Sequence, residues 1–150
     1  MLQAFEFIAI FTCGLFAGAA VYINVAEHPA RMKCGTEIAA TVFGPSYGRA
    51  AIMQASLALV ATLSALGAWW LTDSVLWLIG ALLVFAVIPF TLLVILPTNK
   101  QLLAPDLDRA SPATHQLLVR WGRLHAVRSV ASITANVIFL IAALRTDPWV

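Results

Sequence analysis

Apolar residues fall into four long blocks, separated by two long polar connections and one two-residue turn. The first covers 7–26 as FIAIFTCGLFAGAAVYINVA, without a charge; the others cover 50–72, 75–96 and 126–145. In the fourth, Ala126, Val127 and Ser129 extend a shorter apolar run, and Arg128 near its start is long enough to snorkel. A helix needs about 20 apolar residues to cross the hydrocarbon of a bilayer. Strands of a membrane barrel would instead be about ten residues of alternating polarity, which these blocks are not. The pattern predicts an all-α, four-span bundle forming one domain over 1–150.

Punctuation residues set the expected boundaries. Pro29 interrupts the first helix just past its apolar run, and Gly44-Pro45-Ser46 opens the second. Between them MKCGTEIAATVF reads as a short interfacial helix, weakened by Gly35. Asp73-Ser74 is a two-residue turn in which Ser74 caps the third helix, Pro89 bends that helix and Pro97 closes it. Ser111-Pro112 starts a last helix running to about Arg145. At 1.5 Å per residue it would reach roughly 51 Å, so its first turns stand outside the bilayer core. Gly14 and Gly18 form a small-xxx-small step, suited to packing within the bundle or between copies. The first block reads as a span rather than a cleaved signal, because MLQAFE carries Glu6 and no Lys or Arg.

Composition agrees with the pattern. The chain is 61% hydrophobic and 11% charged, with a formal charge of +2 and a mean hydropathy of +0.90. That is too little charge to clothe a water-soluble domain, and no broad basic face suggests nucleic acid. The expected surroundings are a lipid bilayer, with a homo-oligomer or larger membrane complex open. Cys13 lies mid-span and Cys34 in a connection, so both read as free thiols.

The side opposite the termini carries eight Lys and Arg, from Arg31 to Arg128, whereas the terminal side carries only Arg145. The positive-inside bias places that basic side in the cytoplasm, most simply of a bacterial inner membrane, with the termini outside. Trp69, Trp70, Trp77 and Trp149 would form an interfacial belt on the terminal side.

Polar residues inside an apolar bundle carry the chemical information. Asn24, Glu27, His28 and Arg31 share one face of the first helix, and Trp121, His125 and Arg128 share one face of the last. Tyr47 and Gln54 lie early in the second helix and Asn99 ends the third. All sit at the basic end of their helices, where antiparallel packing would gather them into one shallow pocket. The plain alternative is that helix ends are polar anyway and that Arg and His there anchor to lipid headgroups.

The runs NVAEHPAR (Asn24–Arg31), PTN (Pro97–Asn99) with Leu102-Leu103, and RWGRLHAVRS (Arg120–Ser129) resemble the anthrone oxygenase-like family of small four-span membrane proteins. The resemblance covers nearly the whole chain, and W-x-x-x-H-x-x-R is its most specific part. It implies a small hydrophobic molecule as partner, an anthrone-like aromatic that is oxidised to an anthraquinone by O₂. In that reading His125 is the base, since imidazole titrates near neutrality. Arg128 stabilises the developing oxyanion, Trp121 and Tyr47 stack on a planar substrate, and Asn99 orients its carbonyl. Asn24 and Gln54 would also bind substrate, Arg31 would support the helix end, and Glu27 would orient His28 or His125.

Two other classes fit the same residues. His28 and His125, with Glu27 as a third ligand, could hold a metal or a haem. A non-enzymatic accessory or scaffold subunit would use the cluster as a structural lock, with Arg128 paired to Glu27. A transporter or channel is less suited, for neither an inverted repeat nor a ring of charge is present.

Overall fold

The structure is a computed structural model and describes residues 1–146. Among these, four helices are long and apolar enough to cross a membrane. They are α1 (Leu2–Lys33), α2 (Thr36–Thr72) and α3 (Val75–Leu102), followed by α4 (Pro112–Thr146). No strand forms among the described residues. α1 packs on α2 and α4, and α3 packs on the same two, which leaves α1 and α3 at opposite corners of a square bundle. The chain is an all-α, four-helix integral membrane protein.

Its surface is the reverse of a soluble domain's. Leu63, Leu82, Leu93 and Val130 are exposed, while His28, Arg31, Gln54, Asn99 and His125 are buried. Hydroxyls that would face lipid fold back instead: Thr12, Ser56 and Thr134 each donate to the carbonyl four residues earlier. That satisfies groups for which the bilayer has no partner.

Three expected boundaries are corrected. Pro29 does not interrupt α1, because a π-helical turn at Ile23–Glu27 precedes it and the helix continues through Lys33. Pro97 does not close α3 for the same reason, with a π-turn at Thr91–Ile95 and helix onward to Leu102. Proline lacks an N–H and its ring crowds the carbonyl four residues back; a wider turn just upstream relieves both problems. α2 begins at Thr36 rather than near Pro45, which lies inside it. The chain breaks at Gly35, whose φ of 98° suits glycine and strains other residues, so MKCGTEIAATVF is not a separate helix.

Other expectations stand. Ser111 caps α4, its hydroxyl accepting from the Thr114 N–H at 3.2 Å, and Cys13 and Cys34 are free. Trp77 is no belt residue: it is fully buried and stacks on Phe139 at 5.3 Å. Trp70 is exposed, and Trp149 lies outside the described residues. Ser74 sits at the start of α3 without capping it through its side chain.

Candidate functional site

α4 is regular, so Trp121 and His125 lie one turn apart on its inner face and their rings stack at 4.8 Å. Asn24, on the π-turn of α1, meets them from across the bundle. Its Nδ2 donates to the Gly122 carbonyl at 3.0 Å, while its Oδ1 accepts from Ser129 Oγ at 2.6 Å. The same Oδ1 lies 2.7 Å from His125 Nδ1. With the amide nitrogen turned to a carbonyl, only the oxygen can face the imidazole, so His125 Nδ1 is the donor. In the neutral ring Nε2 then carries the lone pair. Asn24, rather than Glu27, orients this histidine.

Arg31 is more central than a helix-end support. It is buried, its Nη1 lies 3.6 Å from Glu27 Oε1, and its Nε donates to His28 Nδ1 at 3.2 Å. Its guanidinium lies 5.1 Å from the Trp121 ring centre and 5.6 Å from that of Phe43. Glu27 Oε1 also accepts from Ser46 Oγ at 2.7 Å. The expected Glu27–Arg128 pair is therefore replaced by Glu27–Arg31. Arg128 turns into the bundle instead of snorkelling: its Nη2 donates to Gln54 Oε1 at 2.8 Å, and its guanidinium lies 5.6 Å from the Phe16 ring centre.

Two cavities adjoin these groups. A small one, about 20 Å³, is lined by Glu27, Arg31, Tyr47, Gln54, Trp121, His125 and Arg128, among others. A second, about 180 Å³, lies between α2 and α3 against Phe16, Ala58, Val87 and Leu92, and shares Tyr47, Ala51, Gln54 and Arg128 with the first. His125 lines the small cavity and is absent from the walls of the larger.

Most of the expected residues thus come together. Asn99 does not join them: it is fully buried, but lines neither of these cavities. Trp121 presents less ring face than expected, since His28, Phe43, His125 and Arg31 already crowd it. His115 is exposed near Thr36 Oγ1 and takes no part.

The three proposed metal ligands are not assembled. Among the described residues no three His, Cys, Asp or Glu gather as a metal-holding group. Trp121 stacks with His125 and also packs on His28, and the His28 Nδ1 lone pair is taken by Arg31. The donor set does not fit a metal shared by His28, His125 and Glu27.

Gly122, Phe43 and Ser46 escaped the sequence reading. A Cβ at Gly122 would stand 2.6 Å from His28 Nε2, so the bare backbone is what lets the ring approach α4. Phe43, Tyr47 and Gln54 are spaced i, i+4, i+11 on one helical face; starting the helix at Gly44 concealed that.

Comparison with known proteins decides the family. A family profile described as anthrone oxygenase matches residues 41–138. The chain belongs to the anthrone oxygenase family. The family match holds Tyr47, Gln54, Trp121, His125 and Arg128, while the α1 residues Asn24, Glu27, His28 and Arg31 lie before it. The chain is also similar to anthrone oxygenase tpcL of Aspergillus fumigatus, 38% identical over 71 residues. That similarity covers 45% of this chain and 44% of the relative, so the chain spans less than half of the curated relative's length. No solved structure matches.

Proposed function

We propose that this protein oxidises a small, flat, hydrophobic carbonyl compound of the anthrone type with O₂, His125 serving as base and Arg128 as anion stabiliser. The observation that carries the reading is the posture of His125. Asn24 holds its Nδ1 at 2.7 Å, which in a neutral ring leaves the lone pair on Nε2, and His125 lines the small cavity together with Arg128. Family membership supports the same reading.

The chemistry balances with the substrate, O₂ and these side chains. An anthrone is acidic because its anion is an extended aromatic phenolate. His125 Nε2 takes the proton, and the anion passes electrons to O₂ one at a time as a C–O bond forms. The resulting peroxide anion gains a proton, and the imidazolium releases the one it took, so the proton count closes. Removal of the second hydrogen on the same carbon, with O–O cleavage, leaves a carbonyl and releases water. One O₂ is consumed for each carbonyl and water formed.

A scaffold reading predicts different consequences. A structural lock should satisfy its own polar groups, because buried unpaired ones weaken it. Here several donors around the cavity lack partners among the described residues. Two substitutions separate the readings, measured by anthraquinone formation and thermal unfolding in detergent. His125→Gln should keep the fold and lose about 10²–10⁴ in rate. Arg128→Leu removes one charged hydrogen bond and strands no carboxylate, so it should cost roughly 1.5–3 kcal/mol and abolish turnover. Wild-type inactivity on anthrones, with Arg128→Leu the worse change in stability, would move the assignment to a scaffold.

The Lys and Arg asymmetry supports an orientation with the Arg31–Arg128 end in the cytoplasm and the termini outside. A C-terminal reporter active only in the cytoplasm should stay silent; activity there would reverse the orientation.

A further inference from the structure

Four residues in the lining of the small cavity carry a buried hydrogen-bond donor that has no partner among the described residues. Arg31 Nη2, Gln54 Nε2, Trp121 Nε1 and Arg128 Nε are all buried and have no partner among the described residues. All four residues line this cavity. Arg31, Gln54 and Trp121 are 7%, 2% and 5% exposed, so bulk solvent does not satisfy them. Native proteins leave few buried polar groups unpaired, and the others here, at Trp77, Asn99 and Asn136, belong to residues outside this lining. Four around one space point to an acceptor that comes from outside the chain, and two guanidiniums among them favour an oxygen that carries negative charge.

Size says which part of a ligand arrives there. A cavity of about 20 Å³ holds little more than one water-sized body, which needs roughly 10–15 Å³. A ring system cannot occupy it. The adjoining space of about 180 Å³ has the apolar walls a ring requires, and Gln54 and Arg128 stand in the walls of both. A flat ligand in the larger space therefore turns an edge atom, not its central carbon, toward His125.

We infer that the ligand is docked by its oxygen: the enolic or phenolic O–H of a flat aromatic enters the small cavity and gives its proton to His125 Nε2. The oxyanion so formed is held by Arg31, Arg128, Gln54 and Trp121. For an anthrone-type compound, deprotonating the enol O–H yields the same delocalised anion as deprotonating the central C–H. The electron-rich carbon then lies in the apolar cavity, where O₂, itself apolar, also partitions. Arg31 becomes a substrate-contacting residue, with Glu27 and His28 positioning it. The O₂ step rests on the oxygenase reading above; the docking rests on the cavities and their donors.

2-Naphthol tests the docking directly. It is flat, carries one acidic O–H, lacks a reactive CH₂, and its ionised form absorbs to the red of the neutral form. Titrated near neutral pH into the detergent-purified full chain, it should give a saturable naphtholate band that empty micelles do not give. The pH of half-ionisation should fall by at least one unit, about tenfold in acidity. Arg31→Gln should weaken naphtholate binding about tenfold or more, as expected for lost charged hydrogen bonds, while naphthalene, which has no oxygen, binds as before. Gln54→Met removes a donor, and with it the acceptor that orients Arg128, without touching the Glu27–Arg31 pair, and should weaken the band in the same sense. Binding of neutral 2-naphthol alone, or a band unchanged in both variants, would overturn the docking. Anthrone oxidation without a naphtholate band would also overturn it, leaving the oxygenase reading intact. A band that both variants weaken, without anthrone oxidation, would uphold the docking and remove the oxygenase reading.

Discussion

The terminal half of the bundle and the basic half are built from the same four helices but follow opposite rules. The terminal half is dry and filled with small residues: Ala9, Cys13, Ala61, Ala65, Ala81 and Ala135 let the helices approach closely. At its centre Trp77 and Phe139, both fully buried, stack at 5.3 Å. The basic half packs Ile23, Phe43, Ile95, Leu118 and Trp121 around buried His and Arg. Both π-turns also lie toward this half, ahead of Pro29 and Pro97. Several unpaired donors belong to residues around one small cavity there, whereas in the terminal half Trp77 Nε1 is unpaired and an apolar space of about 280 Å³ lies against Leu66, Ala81 and Phe85. The terminal half fixes the spacing and angles of the helices, and the basic half concentrates its unpaired polar groups in one place. An unfilled polar site is tolerable where stability is secured elsewhere.

The largest expected effect tests that division from the dry side. Phe139→Ala should remove roughly 3–5 kcal/mol of stability, the usual cost of deleting a buried aromatic. The Trp77 ring loses its stacked partner, yet the His125 cavity lies in the other half. Thermal unfolding should therefore drop steeply, while anthrone turnover per folded molecule stays at the wild-type level. A proportional fall in both would show that the halves are not separable.

Gly122 offers the converse from the polar side, with a smaller effect on stability. A Cβ there would stand 2.6 Å from His28 Nε2 and 2.8 Å from Cδ2, pushing His28 and Arg31 off α4. Overpacking of this kind costs about 1–3 kcal/mol, and misplacing a positioned group by about an ångström can cost on the order of 10²-fold in rate. Gly122→Ala should lose far more turnover than stability, and adding His28→Ala should recover stability by making room. No recovery in the double variant would place the damage in the Asn24 contact to the Gly122 carbonyl instead.

How much of this was legible depended on whether a helix stayed regular. α4 keeps α-helical spacing, so the shared face of Trp121, His125 and Arg128 could be read from i, i+4 and i+7. α1 and α3 contain π-turns, and the rule that proline ends a helix misplaced both boundaries. Partner choice was not legible either. Glu27 lies one turn from Arg31 on its own helix, and only the packing of α2 shows that Arg128 is taken by Gln54. Trp77 was misread because an aromatic near a helix end suits a belt as well as a core, and burial alone separates the two. Gly122 matters through what approaches it, which is a property of two helices and is written in neither.

The smallest expected effect concerns the surface between the halves. Gly14 and Gly18 share a sequence signature, but the structure treats them differently. A Cβ at Gly14 would touch the Asn136 side chain at 3.6 Å, whereas at Gly18 it would meet nothing within 4 Å. The step is used inside the bundle at its first glycine, and its second is exposed. Gly18→Ala should therefore change stability by no more than about 0.5 kcal/mol, as surface substitutions do, with a slight gain from the better helix former. Turnover and particle size in detergent should be unchanged. A shift of the particle toward half its mass would mean that Gly18 faces a second copy of the chain, and the closeness of approach there would then belong to an interface between copies.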